Sequence, residues 1–170
     1  MKIRRAVVAG LAGCLVVIAA MMIVGAMTDS DADLCALAGA VVTGRDGAGA
    51  WLVGLVAQVA VAIVAALIYA AIFEWIVRRA GALMGFAIAL AHVAVAGIAV
   101  GFLPVSGMLS AGMSPPGAFL EYRGWWVIGT FVLAHLAFGV IVGMVYGKPL
   151  HSIETMRGTW NDVTVLQRRV

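Results

Sequence analysis

Charge is what this sequence has least of. Of its 170 residues, 8 are Asp or Glu and 11 are Lys or Arg, together 11%, about half the share of a soluble domain. That scarcity excludes an ordinary water-exposed surface. Cysteine (2), histidine (3) and proline (4) are also scarce. Cys14 and Cys35 fall at different expected depths, so they give no disulfide framework. Too few His and Cys side chains share a depth to assemble a metal site, and no metal is expected. No nucleophile-base-acid set and no glycine-rich phosphate loop is present, so the reading leans away from an enzyme.

Apolar residues fill the space that charge leaves. They make up 64% of the chain, and the mean hydropathy is +1.10. Long uncharged runs are transmembrane candidates, because in hydrocarbon only a helix satisfies its own backbone within one segment. Four such spans are expected at about 6–27, 50–77, 81–103 and 125–147. His92 alone interrupts the third and His135 alone the fourth. The expected fold is therefore all-α: a polytopic membrane domain over 1–149, four helices in an antiparallel bundle, with a polar cytoplasmic tail over 150–170. The short RRAG connection makes spans two and three neighbours.

Lysine and arginine orient the bundle. Lys2, Arg4 and Arg5 precede span one, Arg78 and Arg79 separate spans two and three, and Lys148, Arg157, Arg168 and Arg169 follow span four. The other two loops hold only Arg45 and Arg123. By the positive-inside rule both termini are cytoplasmic. The net charge of +3 reflects that orientation. With no basic face elsewhere, nucleic acid is not an expected partner. Trp51, Tyr122, Trp125 and Trp126 mark the outer membrane edge, and Trp75 and Tyr146 the inner one.

Two N-terminal signals compete with this reading. Leu11-Ala12-Gly13-Cys14 has a lipobox-like form, but most of the apolar run follows the cysteine, where a signal would place it before. A cleavable signal ending near Val24-Gly25-Ala26 would need an unusually long apolar core. Span one is expected to be retained. Asp29, Asp31 and Asp33 have the spacing that opens a calcium loop, but Leu34 and Ala40 stand where glycine and glutamate are required. They read as a solvated acidic loop. Cys35 lies in LCALAGAVVT, too short to span, as a small buried or interfacial residue. Met108 to Met113 is apolar enough to dip into the interface. In the tail, Ser152 and Asn161 could cap a short surface helix.

Several intramembrane residues carry chemistry. Glu74 and Arg78, four apart with the glutamate first, are expected to form an interfacial salt bridge. Gln58 needs a partner across a helix interface. His92 and His135 lie at nearly equal depth on successive helices, where ionisable groups face the protein interior or a water-filled cavity. Gly139, Gly143 and Gly147 continue the His135 face, because residues four apart drift by only about 40° on a helix. Span three has its own stripe of Gly81, Gly85, Ala89, Gly97 and Gly101. Such stripes bring helix backbones together. If they face each other, a haem b sandwiched between His92 and His135 is not expected; if they face span one, span two or another subunit, that reading stays open.

Span four closes with HLAFGVIVGMVYG, and the half-chain before it carries GFLP and PPGAF. This resembles a diffuse group of small bacterial four-helix inner-membrane proteins whose last span ends His-x-x-Tyr/Phe-Gly-x3-Gly-x2-Tyr-Gly. The resemblance covers about the second half of the chain and implies architecture and inner-membrane location, but no reaction. Phe138 stands where tyrosine is expected, which removes a hydroxyl that a proton relay would use. The expected function is a non-catalytic accessory or scaffold subunit, in the bilayer as a homo-oligomer or part of a larger complex, with no cofactor. The competing expectation is a small transporter, proton path or b-type haem redox subunit built on His92 and His135.

Overall fold

A computed structural model describes residues 1–152. The tail beyond, with Arg157, Asn161, Arg168 and Arg169, lies outside the described residues. Every long element is helical: α1 (Ile3–Thr28), α2 (Leu34–Thr43), α3 (Ala48–Ala71), α4 (Ala82–Gly101), α5 (Val105–Ser110) and α6 (Trp125–Tyr146). A π turn, Ile72–Ile76, extends α3, and a 3-10 stretch, Ala118–Arg123, precedes α6. Among the described residues there is no strand.

Four of these helices are long and apolar enough to cross a membrane: Ile3–Thr28, Ala48–Ile76, Ala82–Gly101 and Trp125–Tyr146. Their packing is inverted relative to a water-soluble core. Large apolar side chains such as Leu15, Val56, Leu83 (81% exposed) and Leu133 face outward, while many positions between helices are Ala or Gly. Such a surface has hydrocarbon as its solvent, and close contact between backbones replaces the hydrophobic drive for helices to associate.

The closest approaches are made by glycine. A Cβ on Gly85 would lie 2.0 Å from the Gly139 carbonyl oxygen, and one on Gly143 would lie 2.2 Å from that of Gly81. Along this seam α4 and α6 touch backbone to backbone. Gly10 brings α1 against Ala62 and Ala66 of α3, and Gly13 receives the ring of Phe138 from α6. The helix order in space is thus α3, α1, α6, α4. Although only a short turn joins α3 to α4, they are not backbone neighbours, contrary to the expectation from RRAG. The glycine seam gives α4 a closer partner in α6, and side chains bridge what remains between α3 and α4.

Shorter elements close the end opposite the termini. Asp33 caps α2, accepting from the Cys35 and Ala36 amides at 2.8 and 3.2 Å, and its second oxygen accepts from Trp51 Nε1 at 2.7 Å. Gly39 and Gly54 let α2 lie on α3, since a Cβ at Gly54 would meet the Cys35 carbonyl oxygen at 1.8 Å. α5 rests on α2 through Gly107, with Met108 fully buried. Arg123 fastens the last loop, donating to Ser114 O at 2.7 Å and Ser114 Oγ at 2.9 Å and pairing with Asp31 at 3.4 Å.

Gly97 and Gly101 make no helix-helix seam. A Cβ at Gly97 would strike the Phe119 ring at 2.2 Å, and Gly101 faces Ala118, so the far half of the α4 stripe seats the 3-10 stretch. Phe119 and Leu120 reach that seat with left-handed φ of 54° and 63°. Gly147, with φ of 67°, ends α6 instead of extending its seam.

Candidate functional site

Because α3 and α4 stand apart, a cleft of about 290 Å³ opens between them, backed by α6 and roofed by α2. A smaller hollow of about 40 Å³ continues it toward Cys14 of α1. Both are lined by Gln58, Val61, His92 and His135. The structure therefore brings together Gln58, His92 and His135, the residues expected to form an intramembrane polar site. Ala96, Ala99, Leu37 and Phe131 supply apolar wall. A larger hollow of about 520 Å³ between α1 and α6 is lined by apolar residues, Thr28, Trp126 and Thr130, with no ionisable group.

Each polar side chain is tethered through one atom. His135 Nδ1 lies 2.8 Å from the Phe131 carbonyl oxygen one turn back. A carbonyl only accepts, so Nδ1 carries the proton and, in the neutral ring, Nε2 carries the lone pair. His92 Nδ1 lies 3.1 Å from the Tyr69 hydroxyl. Tyr69 has no other acceptor among the described residues. A hydroxyl proton left unpaired in an apolar interior costs about 1–3 kcal/mol, so Tyr69 donates and His92 keeps its proton on Nε2. Gln58 Nε2 donates to Leu34 O at 3.2 Å.

The rings form one aromatic cluster. His92 and His135 meet edge to face, with centroids 5.5 Å apart and planes at 77°. Phe138 lies 5.4 Å from His92, and Phe131 lies 4.1 Å from His135. Tyr69 was not singled out in the sequence. Its signal was a phenol well inside a membrane span, where a buried hydroxyl requires a partner.

A second polar cluster sits at the end that carries the termini. Glu74 is fully buried, and its carboxylate accepts from Tyr146 Oη at 2.5 Å, the Leu150 amide at 2.9 Å and the His151 amide at 3.2 Å. His151 Nδ1 and the N-terminal amine lie 3.2 and 3.9 Å away. Arg78 is not among the partners of Glu74, which corrects the expected i,i+4 pair. The π turn, marked by Val77 N–H donating to Ile72 O at 2.9 Å, breaks the α-helical spacing. Arg78 then leaves the helix with φ of 55°. Tyr146 is likewise fully buried and accepts from the Lys2 amide at 3.0 Å, so it is an internal strut and no membrane-edge anchor.

Phe73 stands between the two clusters. It is fully buried, with its ring 6.1 Å from Tyr69 and 5.7 Å from Tyr146. Among the described residues no three His, Cys, Asp or Glu side chains converge as metal ligands do. Cys14 and Cys35 are separate buried thiols. In α2, burial first and then the Asp33 charge push the Cys35 thiol up to about 11.

Fold and site together define a class: an all-helical chain with four helices long and apolar enough to span a membrane, and a largely apolar cleft that carries Gln58, His92 and His135. No protein-family model, curated protein or solved structure matches it.

Proposed function

We propose that this chain is a non-catalytic accessory or scaffold subunit of the bacterial inner membrane, a four-helix antiparallel bundle with both termini in the cytoplasm. The contact register supports the antiparallel arrangement: Gly81 meets Gly143 and Gly85 meets Gly139, while Gly10 meets Ala62 and Met1 approaches Glu74. Met1, Lys2, Glu74, Tyr146 and Leu150 cluster at one end. The basic residues of the termini and of the α3–α4 turn fall at that same end, which supports a cytoplasmic assignment by the positive-inside rule. The exposed apolar surface makes the bilayer its first partner, with copies of itself or a larger membrane complex as further partners, and no nucleic acid.

The observation that separates this reading from a transport role is Phe73. A proton path along the bundle would have to join the His135, His92 and Tyr69 group to the Tyr146 and Glu74 group, and a buried phenyl ring separates them.

Haem b fits the residues poorly. The imidazoles touch edge to face, and below them Gly85 and Gly139 bring the helix backbones into contact. A macrocycle between α4 and α6 would have to part that seam.

Proton flux into proteoliposomes carrying a pH-sensitive dye tests the proposal. Under an imposed potential, the expected rate equals that of protein-free vesicles. Flux that disappears in both His92→Ala and His135→Ala would overturn it in favour of a transport role.

A further inference from the structure

The tethers of the cleft leave three atoms without partners. No hydrogen bond among the described residues engages Gln58 Oε1, His92 Nε2 or His135 Nε2. None of the three is sealed off either, since Arg123 Nε is the one buried side-chain atom without a partner among the described residues. Each atom is thus accessible, and the residues that carry them line the hollow. In a hydrocarbon setting, polar atoms facing an open space need a polar occupant. The tautomers set by Phe131 and Tyr69 make that demand specific: His135 Nε2 accepts and His92 Nε2–H donates, with Gln58 Oε1 a second acceptor.

Three properties of the cleft select its occupant. No Lys, Arg, Asp or Glu lines it, so a charged headgroup would enter uncompensated at a large cost. A hydrocarbon without a headgroup would strand two imidazole nitrogens. The volume of about 290 Å³ is roughly twice that of a 150 Å³ cavity known to hold benzene. It admits one or two fused rings, and Phe131 offers a flat aromatic wall.

We propose that the cleft binds a neutral, ring-bearing alcohol of the phenol class dissolved in the membrane, its hydroxyl donating to His135 Nε2 and accepting from His92 Nε2–H. The ligand enters sideways from lipid between α3 and α4. The site requires no catalysis and no second subunit, so it stands or falls independently of the accessory role.

The test uses the full chain in phospholipid nanodiscs, with 1-naphthol and 1-methoxynaphthalene as probes and empty nanodiscs subtracted. Both probes fit the volume, but only naphthol can donate to His135. Naphthol is expected to bind saturably and about tenfold more tightly than the methyl ether, the worth of one good hydrogen bond. His135→Phe should bring that ratio close to one. Ala96→Trp fills the cleft and should abolish binding of both probes. Should His135→Phe fail to fold, the naphthol-induced shift of the His135 ¹⁵Nε2 resonance in the unaltered protein decides in its place. Equal affinities, lack of saturable binding, a ratio that survives His135→Phe, binding that survives Ala96→Trp, or an unmoved His135 resonance would each overturn the proposal.

Discussion

Replacing Gly85 by alanine adds a single methyl group and should open the bundle. An ideal Cβ there would lie 2.0 Å from Gly139 O and 2.8 Å from Gly139 C, whereas ordinary contact begins near 3.4 Å. The opposing atoms belong to the backbone of α6 and have no rotamer to escape into, so the helices must separate by about 1.4 Å, the difference between those distances. Overpacking of this kind costs about 1–3 kcal/mol, and a rigid neighbour puts Gly85→Ala at the upper end. Alanine returns about 1 kcal/mol of helix propensity, leaving a net loss of about 2 kcal/mol. Gly129 is the internal control: it lies on α6, yet a Cβ there meets nothing within 4 Å. Gly129→Ala should be neutral or stabilise by up to about 1 kcal/mol. SDS titration of both variants in mixed micelles, followed by tryptophan fluorescence, measures the difference. If the two alanines have the same midpoint, the backbone contact between α4 and α6 is not what holds these helices, and the reasoning fails.

Other outcomes follow from the same geometry. Glu74→Ala should detach the Leu150–His151 segment and the N-terminus, read as faster proteolysis near residue 150 with the four spans intact; an unchanged cleavage rate would count against the carboxylate clamp. Asp33→Ala removes an N-cap and the Trp51 hydrogen bond, for a loss of about 2 kcal/mol in the same SDS titration, and a loss below about 0.5 kcal/mol would make the cap dispensable. Cys35, with its thiol raised to about 11 by burial and Asp33, should resist maleimide at pH 8 in the folded protein. Because the raised value favours the protonated folded state, the stability it contributes is present below pH 9 and is lost as pH rises toward 11; prompt labelling at pH 8 would contradict its burial. For topology, an impermeant maleimide applied to intact cells should label Asp46→Cys and leave Arg79→Cys unlabelled until the membrane is opened. The reverse pattern would invert the bundle.

The four spans were legible because hydropathy is a property of single segments and needs no knowledge of partners. The polar content of the cleft was legible too, since Gln58, His92 and His135 are conspicuous in apolar runs. Partnership was harder to read. Four-residue spacing identified a stripe on α4 but not what lies against it: the seam with α6 takes Gly81 and Gly85, while Gly97 and Gly101 seat a loop whose left-handed Phe119 and Leu120 have no sequence signal. The Glu74–Arg78 expectation assumed an uninterrupted α-helix, and one π turn removed the spacing on which it rested. Tyr69 was overlooked because aromatic residues in membrane spans read as bulk until a partner for the hydroxyl is sought.

Two neutral imidazoles, fixed through Nδ1 by different partners, present unlike Nε2 atoms in one cleft. ¹⁵N spectra of histidine-labelled protein in nanodiscs at neutral pH test this arrangement directly. His135 is expected to be protonated on Nδ1 and bare on Nε2, with His92 the opposite. Doubly protonated rings, or the same tautomer in both, would contradict it.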